Sequence, residues 1–536
     1  TLNYNLLNLL RYKKSFDVHN FEAFVAHESY ATETKFMWAS MYKLVMPDGV
    51  EFNNAVISNP PGSYTNNYSL ESYFGQLNYD YDGKYFLSAT VRRDGSSRFL
   101  KNKWGDFGSV GAAWLVSKEA FMDNVPVIKD LKLKASYGLI GEQGGIGLYP
   151  GYDLFQVQNL NSNISLSFVS KGNPDLTWEI SKQMQVGAEF KLGKFVDVAI
   201  DYYTKTTDNL IFDRRVGPSV GYASLRVNDG ALRNTGIEFD VTAHLLQSKK
   251  NYLDFTINGE LIENRMLRLP IDPATGKEKI IDIDGIYGRA VGHSIFDFYT
   301  REFAGVNPET GVSEWNVYWA DANGDNVRQA TENIKSMADF EATATAETLK
   351  TVKVSRTATY ADGTTKFINK SPFPKVRGAF TLNGGLGNFD ISAQFLYSLG
   401  GYAYDGAYAG LMNSGGAAGG NNYHTDILAR WTKAGMATDV PRLSAGQDAN
   451  VNSASTRFIT KSDFLTLNNI QIGYKVPSKF FTNSPITGVY LWVSGDNLFL
   501  ASARNGFNPS SAETGSSDQY RYSPLSTLTA GLRVKF

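Results

Sequence analysis

The sequence predicts an all-β protein, a transmembrane antiparallel β-barrel whose wall folds up and down through hairpins. Three observations predict it. Apolar and polar residues alternate with a period of two over segments of roughly 10 to 14 residues, longer than the ~5–6 usual in soluble sheets and long enough for the ~9–11 a bilayer demands. The composition sets 30 Tyr, 33 Phe and 50 Gly beside an apolar fraction of only 42%, so strand formers and turn formers are both abundant. No run of eighteen apolar residues occurs; helical spans are excluded, whereas a barrel needs only one apolar face per strand.

Charge and cysteine usage narrow the field further. The 52 Lys+Arg and 53 Asp+Glu leave a formal net charge of -1, which removes any global electrostatic case for nucleic acid as a partner. Cysteine is absent, so neither a disulfide framework nor a thiolate site can form. The opening TLNYNLLNLLRYKK reads as a strand rather than a signal peptide, so the protein is either cytoplasmic or this is not the start of the gene product.

Strands are expected at 2–14, 18–30, 70–80, 84–93, 106–116, 131–139, 177–190, 195–208, 233–246, 251–264, 374–385, 388–399, 463–474, 487–499 and 525–536. Each earns its place by alternation. Leu131, Leu133, Ala135, Tyr137 and Leu139 oppose Lys132, Lys134 and Ser136. Met184, Val186, Ala188 and Phe190 oppose Gln183, Gln185 and Glu189. Ile237, Phe239 and Val241 oppose Glu238, Asp240 and Thr242, and the next strand sets Leu253, Phe255 and Ile257 against Asp254, Thr256 and Asn258. Phe389, Ile391, Ala393 and Phe395 oppose Asp390, Ser392 and Gln394. The last strand places Leu528, Ala530, Leu532, Val534 and Phe536 on one face and Thr527, Thr529, Arg533 and Lys535 on the other.

Short turns at 81–83, 191–194, 247–251 and 385–388 mark one end of the wall. Long polar loops, about 31–69, 140–176, 209–232, 265–373, 400–462 and 500–524, mark the other and are expected to be extracellular, the asymmetry of an outer-membrane barrel. A hairpin of 292–304 with 312–320 is expected inside the longest loop, packed by Trp315 and Trp319. Fifteen strands is an odd number, and an open edge cannot lie in hydrocarbon. The expectation is therefore a piece, completed by an upstream portion that supplies an odd number of strands.

The stretch LSATVRRDGSSRFLKNKWGDFGSVGAAWLVSKEAFM, Leu87 to Met122, resembles the late-barrel signature of SusC/RagA-like TonB-dependent outer-membrane transporters. So, in the family's order, do YGLIGEQGG (137–145), NPDLTWEISKQMQVGAEF (173–190), LRNTGIEFD (232–240), AGVNPETG (304–311), DANGD (321–325), DFLTLNNIQIGYKVP (463–477) and SGDNLFL (494–500). The resemblance implies a barrel of about 22 strands, of which this chain contributes about 15, with the plug and early strands upstream. It also implies TonB-ExbB-ExbD energising, a SusD-like surface lipoprotein as lid, commonly a dimer of transporter-lid pairs, and an oligosaccharide or oligopeptide cargo. The implied location is the outer membrane of a bacterium of the Bacteroidota type. The competing reading is a surface or secreted glycan-binding β-protein without transport; a hydrolytic barrel is a third. The five histidines show no metal-ligand spacing and no acid/base carboxylate pair stands out, so no enzyme is expected and no cofactor is required.

Several residues carry alternative readings. Arg92 is expected on the inner face, paired with neighbouring charge, Arg93 at the rim, and Asp94 with Gly95 in a turn. Asp321, Asn323, Asp325 and Glu332 occupy positions 1, 3, 5 and 12 of a calcium-type loop, with Asn326 where such a loop wants glycine; the alternatives are a structural calcium and a polar turn. GEQGGIG (141–147) opens no helix and reads as flexible loop rather than a phosphate cradle. Tyr402, Tyr404, Tyr408 and Tyr423, set among glycines in the 400–462 loop, are expected either to stack on cargo or lid, or to pack the loop itself. The 501–523 loop is a further candidate for those contacts.

Overall fold

Backbone pairing runs in chain order through a single antiparallel sheet of 15 strands. They are β1 (Leu2–Phe16), β2 (His19–Trp38), β3 (Gly62–Tyr81), β4 (Tyr85–Ser96), β5 (Trp104–Leu115), β6 (Ile128–Glu142), β7 (Glu179–Leu192), β8 (Val196–Asp208), β9 (Ala231–Gln247), β10 (Asn251–Arg268), β11 (Val376–Leu386), β12 (Phe389–Leu399), β13 (Phe464–Val476), β14 (Gly488–Ser502) and β15 (Thr527–Lys535). The computed structural model describes residues 1–416, 422–482, 484–511, 515 and 523–536. Every expected strand is present, and β1 and β15 are the two edges. None of the described helices is long and apolar enough to cross a membrane.

Register decides which residues share a face, because directly paired residues of antiparallel neighbours point the same way. One row joins Lys134, Gly187, Asp201, Glu238, Glu260, Arg377 and Ser398 across seven strands. The adjacent row joins Leu133, Ala188, Ile200, Phe239, Gly259, Gly378, Tyr397 and Leu465. Charge lies on one side and hydrocarbon on the other. The apolar side stands bare: Leu133 is 42% exposed, Ile200 44%, Val493 57% and Leu532 63%. A soluble protein does not leave so continuous a belt in water. Facing acyl chains, it is the ordinary exterior of a membrane barrel.

The structure corrects some boundaries. Residues 31–38 and 62–69, expected in a loop, continue β2 and β3, which stay paired as far as Trp38 and Gly62. The reason is that alternation persists there on a different pattern, with aromatic residues at Phe36, Trp38 and Tyr64. Asp94 and Gly95 belong to β4, and the turn falls at Ser97 and Arg98. Within the longest loop, 303–306 does pair with 313–320, but 299–301 pairs with 365–367, and 313–320 also takes 352–357 as a neighbour. The expected hairpin is thus part of a small sheet, with Trp315 and Trp319 each 4% exposed inside it.

Replacing Ile200 by arginine would put a charge in the middle of the belt. Ile200→Arg is expected to destabilise the membrane-inserted barrel by roughly 2–4 kcal/mol, read by denaturant titration in lipid vesicles. Thr204→Arg, nearer the long-loop end of the same strand, is expected to cost less.

Candidate functional site

A wall with one face to lipid keeps its polar side chains on the other. On that polar face many of the ions are paired. Lys134 Nζ donates to Glu189 Oε1 at 2.8 Å and lies 3.0 Å from Asp201 Oδ2, and Gln185 Nε2 donates to Asp201 Oδ1 at 3.0 Å. Arg377 Nε donates to Glu260 Oε1 at 2.6 Å. Arg92 donates to both oxygens of Asp94 at 2.7 and 2.8 Å and to Ser72 Oγ at 3.0 Å, the inner-face brace expected of it. Arg93, on the opposite face, is half exposed beside Asp106, with its guanidinium over the Trp104 ring. Toward the short-turn end His244 bridges Asp254 at 2.7 Å and Asp197 at 3.4 Å.

Near the long-loop end the wall is indented. A cleft of about 660 Å³ is lined by Thr90, Arg92, Asp94, Phe107 and Trp178, and one of about 630 Å³ by Glu260, Arg377, Ser398, Pro372 and Tyr402. Above the first sits a small apolar core of Phe99, Ile146, Leu176 and Trp178, where Phe99 is fully buried and its ring lies 5.3 Å from that of Trp178. Arg98, two residues beyond Ser96, lies over the Tyr68 ring and donates to the Gln143 carbonyl at 2.6 Å. The GEQGGIG stretch therefore supplies loop packing through Ile146 and a carbonyl acceptor at Gln143.

The two longest loops are joined to each other. Thr300 Oγ1 donates to the Ala454 carbonyl at 3.0 Å, Tyr360 Oη donates to the same carbonyl at 2.8 Å, and Trp431 Nε1 donates to the Pro308 carbonyl at 2.8 Å. Gly311 has φ +73°, and a Cβ there would stand 2.4 Å from the Trp431 ring; only glycine allows both the backbone turn and the ring's approach. Inside the longest loop, burial would raise the Glu302 carboxyl, but Asn316, Tyr318 and Lys366 hold it below its ordinary value. Asn316 donates at 3.1 Å, Tyr318 at 2.9 Å, and Lys366 lies 3.6 Å away.

The tyrosines expected to meet cargo or lid divide. Tyr404 and Tyr408 pack against Ala409, Met412 and Phe458 in the core of the 400–462 loop. Burial pushes the Tyr404 hydroxyl up to about 12, and burial followed by its 2.7 Å hydrogen bond to Asp426 does the same for Tyr408. Arg504 lies 4.2 Å over the Tyr408 ring and pairs with the buried Asp405, drawing the next loop onto this core. Arg457 sits against the Phe303 and Phe458 rings, and burial pulls its guanidinium down to about 10. Tyr402 is different: it lines the second cleft, with the Lys370 ammonium 5.0 Å over its ring. Tyr423 is half-buried beside His424. Residues 512–514 and 516–522 of the 501–523 loop lie outside the described residues.

Asp321, Asn323 and Asp325 do share one turn. Asn323 Nδ2 donates to Asp325 Oδ2 at 2.9 Å, and Asn326, at φ +61°, donates its N–H to Asp321 Oδ2 at 3.3 Å. Lys353, on the neighbouring strand, places its ammonium on Asp321 and the Asn326 amide oxygen. Glu332 turns away and accepts from the Gln329 N–H at 3.1 Å. Among the described residues no three His, Cys, Asp or Glu side chains gather into a metal-holding group. As folded, the loop does not fit a calcium ion, since an internal cation already neutralises its first carboxylate. Sequence reasoning missed Lys353 because it lies 32 residues from Asp321; its signal is the alternation of Val352, Val354 and Lys353 in a short strand.

Comparison with known proteins gives concordant results. Residues 3–265 match the family model described as TonB dependent receptor-like, beta-barrel. The chain is 29% identical over 553 residues to a TonB-dependent receptor of Formosa agariphila, covering 99% of this chain and 52% of the relative. It is 25% identical over 492 residues to the TonB-dependent receptor SusC of Bacteroides thetaiotaomicron, covering 88% of this chain and 44% of the relative. The RagAB peptide transporter superposes with a TM-score of 0.80 at 25% identity, over 100% of this chain and 55% of that one. The chain spans about half the length of the curated relatives it matches, and those relatives are receptors and transporters rather than enzymes.

Two outcomes test the lysine-filled turn. Lys353→Gln frees the Asp321 carboxylate, so added calcium should raise the unfolding temperature of the variant and leave that of the wild type unchanged. The Lys353 hydrogen bond holds the Asp321 carboxyl below its ordinary range, so its stabilising contribution is present above the unfolded-state value and lost as pH falls through the lower folded-state value. Acid titration followed by limited proteolysis should show this turn opening only below the ordinary carboxylate range, and at higher pH in Lys353→Gln.

Proposed function

We propose, on the premise that this chain belongs to the TonB-dependent receptor β-barrel family and is of the SusC/RagA-like kind, that it forms wall and mouth of an active importer. The cargo is a nutrient oligomer, an oligosaccharide or an oligopeptide, taken across the outer membrane of a bacterium of the Bacteroidota type. The carrying observation is the opposite polarity of the two sheet faces, held in register from strand to strand. One face suits acyl chains and the other suits water and polar cargo.

The partners are a plug and further barrel strands of the same transporter, a SusD-like lipoprotein over the mouth, and the TonB-ExbB-ExbD complex. Transporter-lid pairs assemble as a dimer. Closure by the lid signals through the plug, and work from the inner-membrane proton gradient opens a path along the polar wall. No bond of the cargo changes, so the wall needs no acid, base or nucleophile. Its ion pairs, such as Lys134 with Glu189 and Asp201, give a hydrated surface that cargo wets and leaves. The alternative of a freely soluble glycan-binding protein is disfavoured by the bare apolar belt.

The test is uptake of labelled oligosaccharides and oligopeptides by cells with the transporter, without it, and without the energising complex. Import is expected only when both are present, with surface binding persisting when the energising complex is removed. Import that survives its removal would make the barrel a passive pore; binding without import in any strain would favour the glycan-binding alternative.

A further inference from the structure

The hairpin of β2 and β3 rises above β4, and there its polarity inverts. β2 and β3 stay paired to Trp38 and Gly62, whereas β4 accompanies β3 only through the Glu71–Gly95 and Leu70–Ser96 pairs. Beyond those pairs, the face continuous with the lumenal wall carries Phe36 and Trp38 on β2 and Tyr64 on β3, with Tyr30 and Tyr68 below them. The face continuous with the lipid side carries Glu33 and Lys35, paired at 2.9 Å, with Ser63, Thr65 and Asn67, and a single apolar residue, Met37, near its end. In the span below, Val25 and Leu77 stand on the lipid side and Glu22 and Asn78 on the lumenal side. Water therefore bathes the back of the raised hairpin, and its rings face the space over the mouth.

Those rings are grouped and open. Phe36 and Trp38 stack at 5.9 Å and Phe36 lies 5.5 Å from Tyr64, with the three 50%, 46% and 46% exposed. Between and beside them the same face offers Thr32, Thr34, Asn66 and Asn3, which are amides and hydroxyls. Among the described residues, this strand face holds no Asp, Glu, Lys, Arg or His from Thr32 upward. Arg98, near the foot of this face, is already committed to the Tyr68 ring and the Gln143 carbonyl.

We propose that this raised face is a cargo-contact platform for neutral oligosaccharides, a site separate from the clefts in the wall. Exposed planar rings stack against the C–H faces of pyranose or furanose rings, and uncharged amides and hydroxyls exchange hydrogen bonds with sugar hydroxyls. An oligopeptide brings charged termini for which this face has no partner. The proposal rests on the import reading and names the cargo class at this face.

The test uses the whole transporter with plug and lid, purified in detergent, and calorimetric titration with maltoheptaose, cellohexaose, an inulin heptamer and a free-terminus Ala/Gly heptapeptide. Phe36→Ser with Trp38→Ser, and separately Tyr64→Ser, are expected to weaken glycan binding about tenfold, while Lys35→Ser on the reverse face leaves it unchanged. Lid association, measured by size exclusion, should be the same in all variants. Four results would overturn the proposal: glycan affinity unaltered by both aromatic variants, loss confined to lid association, loss of peptide binding instead, or a wild type that binds none of the glycans. If cells import glycans while the variants bind normally, only the platform fails; if cells import nothing, the import reading fails with it.

Discussion

Every backbone N–H and C=O that enters hydrocarbon must find its partner within the protein, because each unsatisfied group there costs several kcal/mol. The uninterrupted ladders between neighbouring strands answer that demand, and they impose the rest of the architecture. Paired backbones force a period of two, and that period separates a face for lipid from a face for water. Departures from register are few. Those between Glu189 and Lys191 and between His244 and Leu246 fall close to the short-turn end, where water can satisfy what the ladder does not; those at Ala231/Leu232 and Leu467/Asn469 lie toward the long-loop end, and one at Gln394/Phe395 falls within β12.

The wall was legible in the sequence for this reason. A period of two sustained over a bilayer's thickness is a local signal, and all the expected strands are found. Boundaries slipped where the signal changed sense rather than stopped: Phe36, Trp38 and Tyr64 broke the pattern of the membrane strands while prolonging the hairpin. The mouth was much less legible. Its contacts join residues far apart in the chain, such as Thr300 with Ala454 and Arg504 with Asp405. No spacing rule reaches so far. Tyr404 and Tyr408 could be named from composition, but whether they face a ligand or a loop core depends on Met412, Phe458 and Arg504 closing around them.

Charge is handled alike in wall and loops. Lys134 beside Glu189 and Asp201, Arg377 beside Glu260, and Lys353 beside Asp321 each neutralise a carboxylate with a side chain from another strand. In the wall this leaves the polar face without a deep electrostatic well. In the loops it lets a turn built from acids and amides fold with an internal cation.

The fit between the Trp431 indole and the bare backbone of Gly311 has a bearing on how such a mouth can diverge between relatives. Any side chain at position 311 leaves the Trp431 indole without room, so drift in one loop must be answered by drift in its distant counterpart. Change in this part of the barrel should then arise by exchange of matched segments, inherited as a set.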